Sequence, residues 1–282
     1  MKKVDALIIG GSASGFAAAF TARRHYPDAS VAVIRQEEKT PVPCGIPYIF
    51  GTLGSPEKNL MPDQALAKNN VELIVDRVTG IDREDKTVIT ASGQTVGYEK
   101  LILTTGSRPL VPPIPGADLE DVFVINKDVA YLAHLLKVMK EARDIVVIGG
   151  GFIGLEMADE CLKLDHPNIT VVEMLSHCLF LVFDEDLCVR VEEELTKSGI
   201  QLRASQRAKS LVGNGKVEYV ELGNGERLKA DAVILGIGVR PNTELAQTAG
   251  LELGPTGAVA VDRHMMTSDP NIFAAGDCAE KV

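Results

Sequence analysis

Closely spaced cysteines are the first thing this 282-residue sequence lacks. Its five, Cys44, Cys161, Cys178, Cys188 and Cys278, are odd in number and nowhere form C-x-x-C. That argues against a disulfide framework or a zinc site and for a reducing, cytoplasmic setting. The five histidines are equally dispersed, so no structural metal is expected. A concentrated basic run is missing too. With 29 Lys+Arg against 39 Asp+Glu, the net charge of −10 has the wrong sign for nucleic acid or an anionic membrane. The most apolar stretches are short and contain Gly or Ser, so none is a membrane span. Met1-Lys2-Lys3 before an apolar run to Phe20 superficially resembles a secretory signal, but Asp5 interrupts it and its glycines have another use.

What is present reads as a soluble protein long enough for two domains, with 45% hydrophobic and 24% charged residues. Residues 4–9 form an apolar run that ends in Gly10-Gly11-Ser12-Ala13-Ser14-Gly15. A helix over 16–25 and a second apolar run over 30–34 follow. Strand, glycine turn, helix and strand open a Rossmann-type unit, in which glycines let the backbone approach a pyrophosphate and the helix N-terminus offers free N–H groups. Ser12 replaces the middle glycine of the motif. Twenty positions after Gly15, where an acid would hold a ribose, stands Arg35. Glu37 or Glu38 could take that role, the backbone could, or the turn could hold no ligand at all.

The plan repeats. Residues 144–148 are apolar, and Gly149-Gly150-Gly151-Phe152-Ile153-Gly154 carries all three glycines of G-x-G-x-x-G. A helix over 152–164 and a strand over 169–172 lead to Glu173, 19 residues beyond Gly154, where a carboxylate could accept from a ribose 2′-OH. The same charge would repel a 2′-phosphate, which favours NADH over NADPH. Further on, Gly93, Gly106, Arg108 and Pro109 match Gly225, Gly238, Arg240 and Pro241 at a constant offset of 132. Each unit therefore carries a small three-strand insertion, the second with hairpin turns at Asn214-Gly215 and Asn224-Gly225. Pro112, Pro113 and Pro115 read as a crossover between domains.

Cys44 lies between two prolines in Thr40-Pro41-Val42-Pro43-Cys44-Gly45-Ile46-Pro47-Tyr48. Alone, a single cysteine is more often a small buried hydrophobe than a nucleophile.

Taken in order, Thr105-Gly106-Ser107-Arg108-Pro109, Gly236-Ile237-Gly238-Val239-Arg240-Pro241 and Ile272-Phe273-Ala274-Ala275-Gly276-Asp277 resemble the FAD-dependent pyridine nucleotide–disulfide oxidoreductases over essentially the whole chain. Pro43-Cys44-Gly45-Ile46-Pro47-Tyr48, with no second cysteine nearby, is similar to the branch of coenzyme A-disulfide reductases, NADH oxidases and NADH peroxidases. The resemblance implies an α/β fold of two Rossmann-like dinucleotide-binding domains, the second inserted in the first. FAD would bind 1–112 plus 247–282, and NAD(P)H would bind 113–246. For FAD it implies Gly10, Gly11, Ser12, Ala13 and Gly15 at the pyrophosphate, with Arg35 at the strand end. Val78 would lie on the adenine side, Thr105 and Gly106 at the flavin-side turn, and Gly276 and Asp277 at the ribityl chain. NADH would use Gly149, Gly151, Phe152, Ile153, Gly154 and Glu173, with Ile237 and Gly238 near the nicotinamide. Glu156 matches a family glutamate near the nicotinamide–flavin junction, or is an ordinary solvated helix residue.

Cys44 matches the redox cysteine, which the family places at a helix N-terminus against the flavin, where its thiolate is favoured. Electrons would pass from NADH through FAD to Cys44, whose thiolate attacks a disulfide, polysulfide or coenzyme A-derived substrate. Ala13 stands where NADH peroxidases and many water-forming oxidases carry histidine, which favours sulfur acceptors over an oxidase or peroxidase that cycles a cysteine sulfenic acid. Arg23 and Arg24 resemble a basic pair placed near coenzyme A phosphates, and Cys278 is expected near the flavin. A redox-responsive flavin/NADH-binding regulatory protein is the reading from another class. Family members continue into a C-terminal domain that makes a homodimer. Because this sequence stops five residues past Asp277, it reads as a truncated form, monomeric or weakly associated, that holds FAD loosely.

Overall fold

The glycine turns become legible once the strands that feed them are laid side by side. The computed structural model describes residues 1–165 and 167–282, which divide into two units. The first comprises Met1–Pro43, Leu60–Arg108 and Arg240–Val282, and the second Cys44–Asn59 and Pro109–Val239.

In the first unit, β1 (Lys2–Ile9), α1 (Ala13–His25) and β2 (Val31–Arg35) follow the expected order. α2 (Asp63–Lys68), β3 (Val71–Val75), β4 (Val78–Asp82), β5 (Thr87–Thr90), β6 (Thr95–Leu103) and β7 (Ser107–Pro109) come next. β3, β2, β1 and β6 lie side by side and parallel. β6 serves two partners: its first residues pair antiparallel with β5, which continues the meander to β4, and its last pair parallel with a strand from the end of the chain. A parallel sheet is covered on both faces, which is why β1 and β2 read as near-continuous apolar runs. Leu7 and Ile9 point into one core with Ile34 and Leu101, while Ile8 points into the other with Phe16 and Val33. Leu7 and Ile8 are fully buried, and truncating either to alanine should cost about 3 kcal/mol.

The second unit contains β8 (Val122–Val124), α3 (Val129–Glu141), β9 (Asp144–Ile148), α4 (Phe152–Cys161) and β10 (Asn168–Val172). Then come α5 (Glu185–Lys197), β11 (Gln201–Arg203), β12 (Ala208–Asn214), β13 (Lys216–Leu222), β14 (Arg227–Lys229) and β15 (Ala232–Leu235). Its parallel sheet runs β11-β10-β9-β15-β8, and β12-β13-β14 form the separate meander promised by the two Asn-Gly turns. After β16 (Val239–Pro241) the first unit resumes with α6 (Glu244–Thr248), β17 (Val259–Val261), β18 (Ile272–Ala274) and β19 (Ala279–Lys281). β18 is the strand that completes the first sheet beside β6.

Two expected borders move. The chain changes unit at 108/109 and 239/240, rather than at 112/113 and 246/247, because α6 packs on β4 of the first unit. The stretch Cys44–Asn59, expected in the first domain from its place in the chain, belongs to the second. Its Ile46, Ile49 and Phe50 are buried with Leu132, Leu155 and Ala158 of that unit's core. Helix α4 also ends at Cys161, three residues short of expectation.

Candidate functional site

In the first unit the candidate residues gather where strands end. Gly10 follows β1, Thr104 and Thr105 follow β6, Arg35 closes β2, and Gly276-Asp277 follow β18. This is the carboxyl edge of a parallel sheet, where ligands of such folds bind. Gly10 has φ +115°, and a Cβ there would overlap the Thr104 carbonyl. Ser12 is the N-cap of α1, yet its hydroxyl makes no capping bond, and Oγ is buried without a partner among the described residues. Ala13, the first helical residue, is exposed. Gly276 lies so near α1 that a Cβ would stand 2.6 Å from Ser14 Oγ, which sets the Gly276-Asp277 turn beside the first helical turn. Asp277 accepts a hydrogen bond from Ser107 Oγ at 2.7 Å.

The Thr105-Gly106 turn is fixed by Asn242, a residue the sequence did not single out. Thr105 Oγ1 donates to the Asn242 carbonyl at 2.6 Å, and Asn242 Nδ2 returns a bond to the Thr105 carbonyl at 3.0 Å. A cavity of about 350 Å³ opens here, lined among others by Gly10, Arg35, Glu37, Val78, Thr105 and Asn242. Asp76 on its wall is pushed down to about 2, chiefly by the Ser92 hydroxyl that donates to it. A glycine cradle, an orphaned hydroxyl and a helix N-terminus around such a cavity fit the diphosphate and adenosine of a dinucleotide.

Arg35 lines that cavity, yet its side chain is only 1% exposed. Its guanidinium turns inward, donating to Asp63 Oδ1 and Oδ2 at 2.6 and 2.5 Å and to the carbonyls of Glu37 and Glu38 at 2.8 and 2.7 Å. Such a bidentate fork is geometry only arginine supplies. Arg23 is likewise occupied by the Asn69 and Ala29 carbonyls.

In the second unit Gly149, Gly151, Phe152, Ile153, Gly154, Glu173, Ile237 and Gly238 also gather at the carboxyl edge, after β9, β10 and β15. Gly151 caps α4, and a Cβ there would meet nothing within 4 Å, so the turn is open on that side. Phe152 is half exposed and meets Phe183 edge-on at 5.9 Å. The Glu173 carboxylate is already engaged, accepting from Gly150 N at 2.6 Å and Leu175 N at 2.7 Å. A carboxylate offers about four acceptor positions, so a ribose hydroxyl can still be received. Leu179 N donates to the Gly150 carbonyl at 2.9 Å, which ties the loop after β10 to the turn. Glu156 stands on the exposed face of α4.

Cys44 is the exposed cysteine, and the other four are buried. Burial pushes the thiols of Cys161 and Cys178 up to about 12, so they stay protonated. Cys278 donates to the carbonyls of Leu103 and Ala275, both at 3.4 Å. Cys44 does not begin an α-helix. It occupies one 3-10 turn, Pro43–Gly45, and Pro47 disfavours helical geometry at Ile46. Turn bonds from Ile49 N to the Ile46 carbonyl at 3.1 Å and from Phe50 N to the Pro47 carbonyl at 3.0 Å then lead into the π-helix Ile49–Leu53.

Sequence reasoning passed over Glu160, His177 and Glu192 as well as Asn242. Only Glu160 left a signal: it is an acid inside the apolar stripe Met157, Ala158 and Cys161 of α4. No helix among the described residues is long and apolar enough to cross a membrane.

Residues 4–282 match the family model described as pyridine nucleotide-disulphide oxidoreductase. An NADH oxidase of Methanocaldococcus jannaschii is 35% identical, with the match covering 98% of this chain and 63% of that protein. An NAD(P)H coenzyme A polysulfide/persulfide reductase of Pyrococcus horikoshii is 34% identical over 99% of this chain and 63% of its own. The chain thus spans less than two thirds of the length of these relatives. The solved structure of an NAD-dependent persulfide reductase from A. fulgidus superposes with a TM-score of 0.90 at 34% identity, covering 98% of this chain and 53% of that one.

Proposed function

The chain belongs to the pyridine nucleotide-disulphide oxidoreductase family, and from that premise we propose that it reduces a disulfide, polysulfide or coenzyme A-linked persulfide with NADH, through FAD and the single thiol of Cys44. The observation that carries this reading is the exposure of Cys44 alone among five cysteines, in a segment that holds no second one. FAD, when bound, supplies a carrier that takes two electrons from a pyridine nucleotide and gives them to sulfur.

The residues divide the work. Gly10, Gly11 and Gly15 leave room for the FAD diphosphate, the N-terminus of α1 favours its charge, and Ser12 Oγ gains the partner it lacks. Asp277 and the Thr105-Gly106 turn hold the flavin end. Gly149, Gly151 and Gly154 seat the pyridine nucleotide, while Glu173 receives the ribose hydroxyl and rejects a 2′-phosphate. The Cys44 thiolate attacks one sulfur of the substrate. A Cys44–sulfur bond forms, the substrate S–S bond breaks, and the departing thiolate takes a proton from solvent. A hydride equivalent from NADH then cleaves the mixed disulfide, releasing the second thiol and restoring the thiolate. The sum is NADH, a proton and one S–S bond converted to NAD⁺ and two S–H groups.

The oxidase reading has the M. jannaschii relative in its favour. Against it stands Ala13, whose methyl offers no acid or base at the start of α1. Offering coenzyme A disulfide, polysulfide, oxygen and peroxide to the NADH-reduced protein separates the two readings. Cys44→Ser should abolish sulfur-acceptor turnover and leave bleaching of the flavin by NADH intact. Unchanged sulfur turnover would reject the role given to Cys44.

A further inference from the structure

The segment that carries Cys44 contains no α-helix. It consists of a 3-10 turn, the π-helix Ile49–Leu53 and a second 3-10 turn, Pro56–Asn59. Pieces this short do not hold a position unaided, so their neighbours must place them. One support is apolar, from Ile46, Ile49 and Phe50 in the second unit's core. The other is polar and converges on Glu160. Gly51 packs against the end of α4 so closely that a Cβ would overlap the Glu160 carbonyl. The next residue, Thr52, donates its hydroxyl to the Glu160 carboxylate, 2.9 Å from Oε2 and 3.1 Å from Oε1. Lys163 Nζ reaches Glu160 Oε1 at 2.5 Å.

The Glu160 side chain is only 4% exposed. A carboxylate at that depth is costly unless paired and hydrogen-bonded, and an apolar residue in the stripe between Met157 and Cys161 would have packed without the cost. The carboxylate therefore has a use that packing alone does not explain. π-helical turns are themselves concentrated at functional sites.

We infer that Glu160 is the positioning residue for Cys44: through Thr52 it ties the thiol-bearing segment to the helix whose other end forms the pyridine-nucleotide turn. The inference rests on the reading of Cys44 as the redox thiol. α4 then serves as a rigid strut, with Gly151–Ile153 setting the nucleotide at one end and Glu160 setting the thiol segment at the other.

Thr52 is exposed, so Thr52→Val deletes the hydroxyl with little strain on the core, and Thr52→Ser keeps it. Because Cys44 is the exposed thiol, iodoacetamide labels it selectively in the intact protein. Thr52→Val should raise the labelling rate several-fold as the segment loosens. It should also lower kcat with the sulfur acceptor about tenfold, the scale of one hydrogen bond to a charged group, with KM for NADH unchanged. Thr52→Ser should return both to within about twofold of the parent, and Glu160→Gln, which keeps an acceptor but loses the Lys163 pair, should fall between. A Thr52→Val protein that labels and turns over like the parent overturns the inference, and so does a Thr52→Ser protein as impaired as Thr52→Val. Sulfur turnover that survives in Cys44→Ser would instead reject the redox-thiol reading, while the labelling rates still judge the tie between Thr52 and Glu160.

Discussion

The two glycine turns share one backbone and differ in what stands behind the second glycine. Gly10 and Gly149 have φ +115° and +111°, and Gly15 and Gly154 press on the carbonyls of those first glycines in the same way. Behind Gly11 lies the stem of Arg35; behind Gly150 lies Glu173, which accepts the Gly150 N–H. A guanidinium only donates and a carboxylate only accepts. The first turn therefore has an aliphatic stem behind it, its guanidinium already paired with Asp63, and among the described residues no carboxylate bonds its N–H groups, whereas the second has one donor already taken and a negative charge in place. The difference is one of charge and of free donors: a paired arginine stands behind the first turn and a bonded carboxylate behind the second.

The sharpest way to break the comparison is to close each turn separately. In either turn, a methyl at the third glycine collides with backbone that cannot yield. Gly15→Ala should leave less than about a tenth of the protein with flavin, while NADH affinity is kept. Gly154→Ala should do the reverse, keeping flavin and weakening NADH at least about 100-fold, or ~2.7 kcal/mol. Flavin absorbance per protein and NADH titration read both. A single substitution that removes both ligands would show that the turns are not independent.

A smaller effect is expected at the acid. Glu173→Gln removes the charge and keeps a carbonyl oxygen for one of the two N–H groups now bound. The ratio of kcat/KM for NADPH over NADH should rise about tenfold, ~1.4 kcal/mol, with flavin content unchanged. An unchanged ratio would mean that Glu173 serves only to brace the turn.

These turns were legible because glycine at a backbone crossing leaves a mark in the sequence. The parallel strands were legible because burial on both faces makes them apolar runs. Arg35 shows where that legibility ends. Its position after β2 marked it as a cofactor residue, but its guanidinium is claimed by Asp63, 28 residues away, and nothing local announces such a pair. The segment Cys44–Asn59 teaches the same at larger scale. It follows β2 in the chain, and only the tertiary contacts of Ile46, Ile49 and Phe50 assign it to the second unit. Asn242, which braces Thr105, had no motif to reveal it.

The smallest effect separates the loops that follow β2 and β10. The first is held by Arg35 and the second by an imidazole. His177 Nδ1 lies 3.0 Å from Glu192 Oε2, while the other oxygen of that carboxylate accepts from Cys178 N at 2.7 Å. The hydrogen bond to Glu192 raises the His177 pKa above its ordinary value, and Glu185, 3.6 Å from Nε2, adds to the rise. A cation whose folded pKa is raised contributes stability that is complete below the unfolded value, about 6.5, and is lost as pH climbs through the folded one. The loop reaches the second glycine turn through Leu179 N and the Gly150 carbonyl, so its fastening tightens as pH falls. In amide hydrogen exchange, residues 175–183 of the parent should be better protected than those of His177→Gln at pH 6, and the two should converge by about pH 9. Comparing the proteins at equal pH cancels the intrinsic exchange rate. A protection difference that is flat or grows with pH would show that protonation of His177 does not fasten the loop after β10.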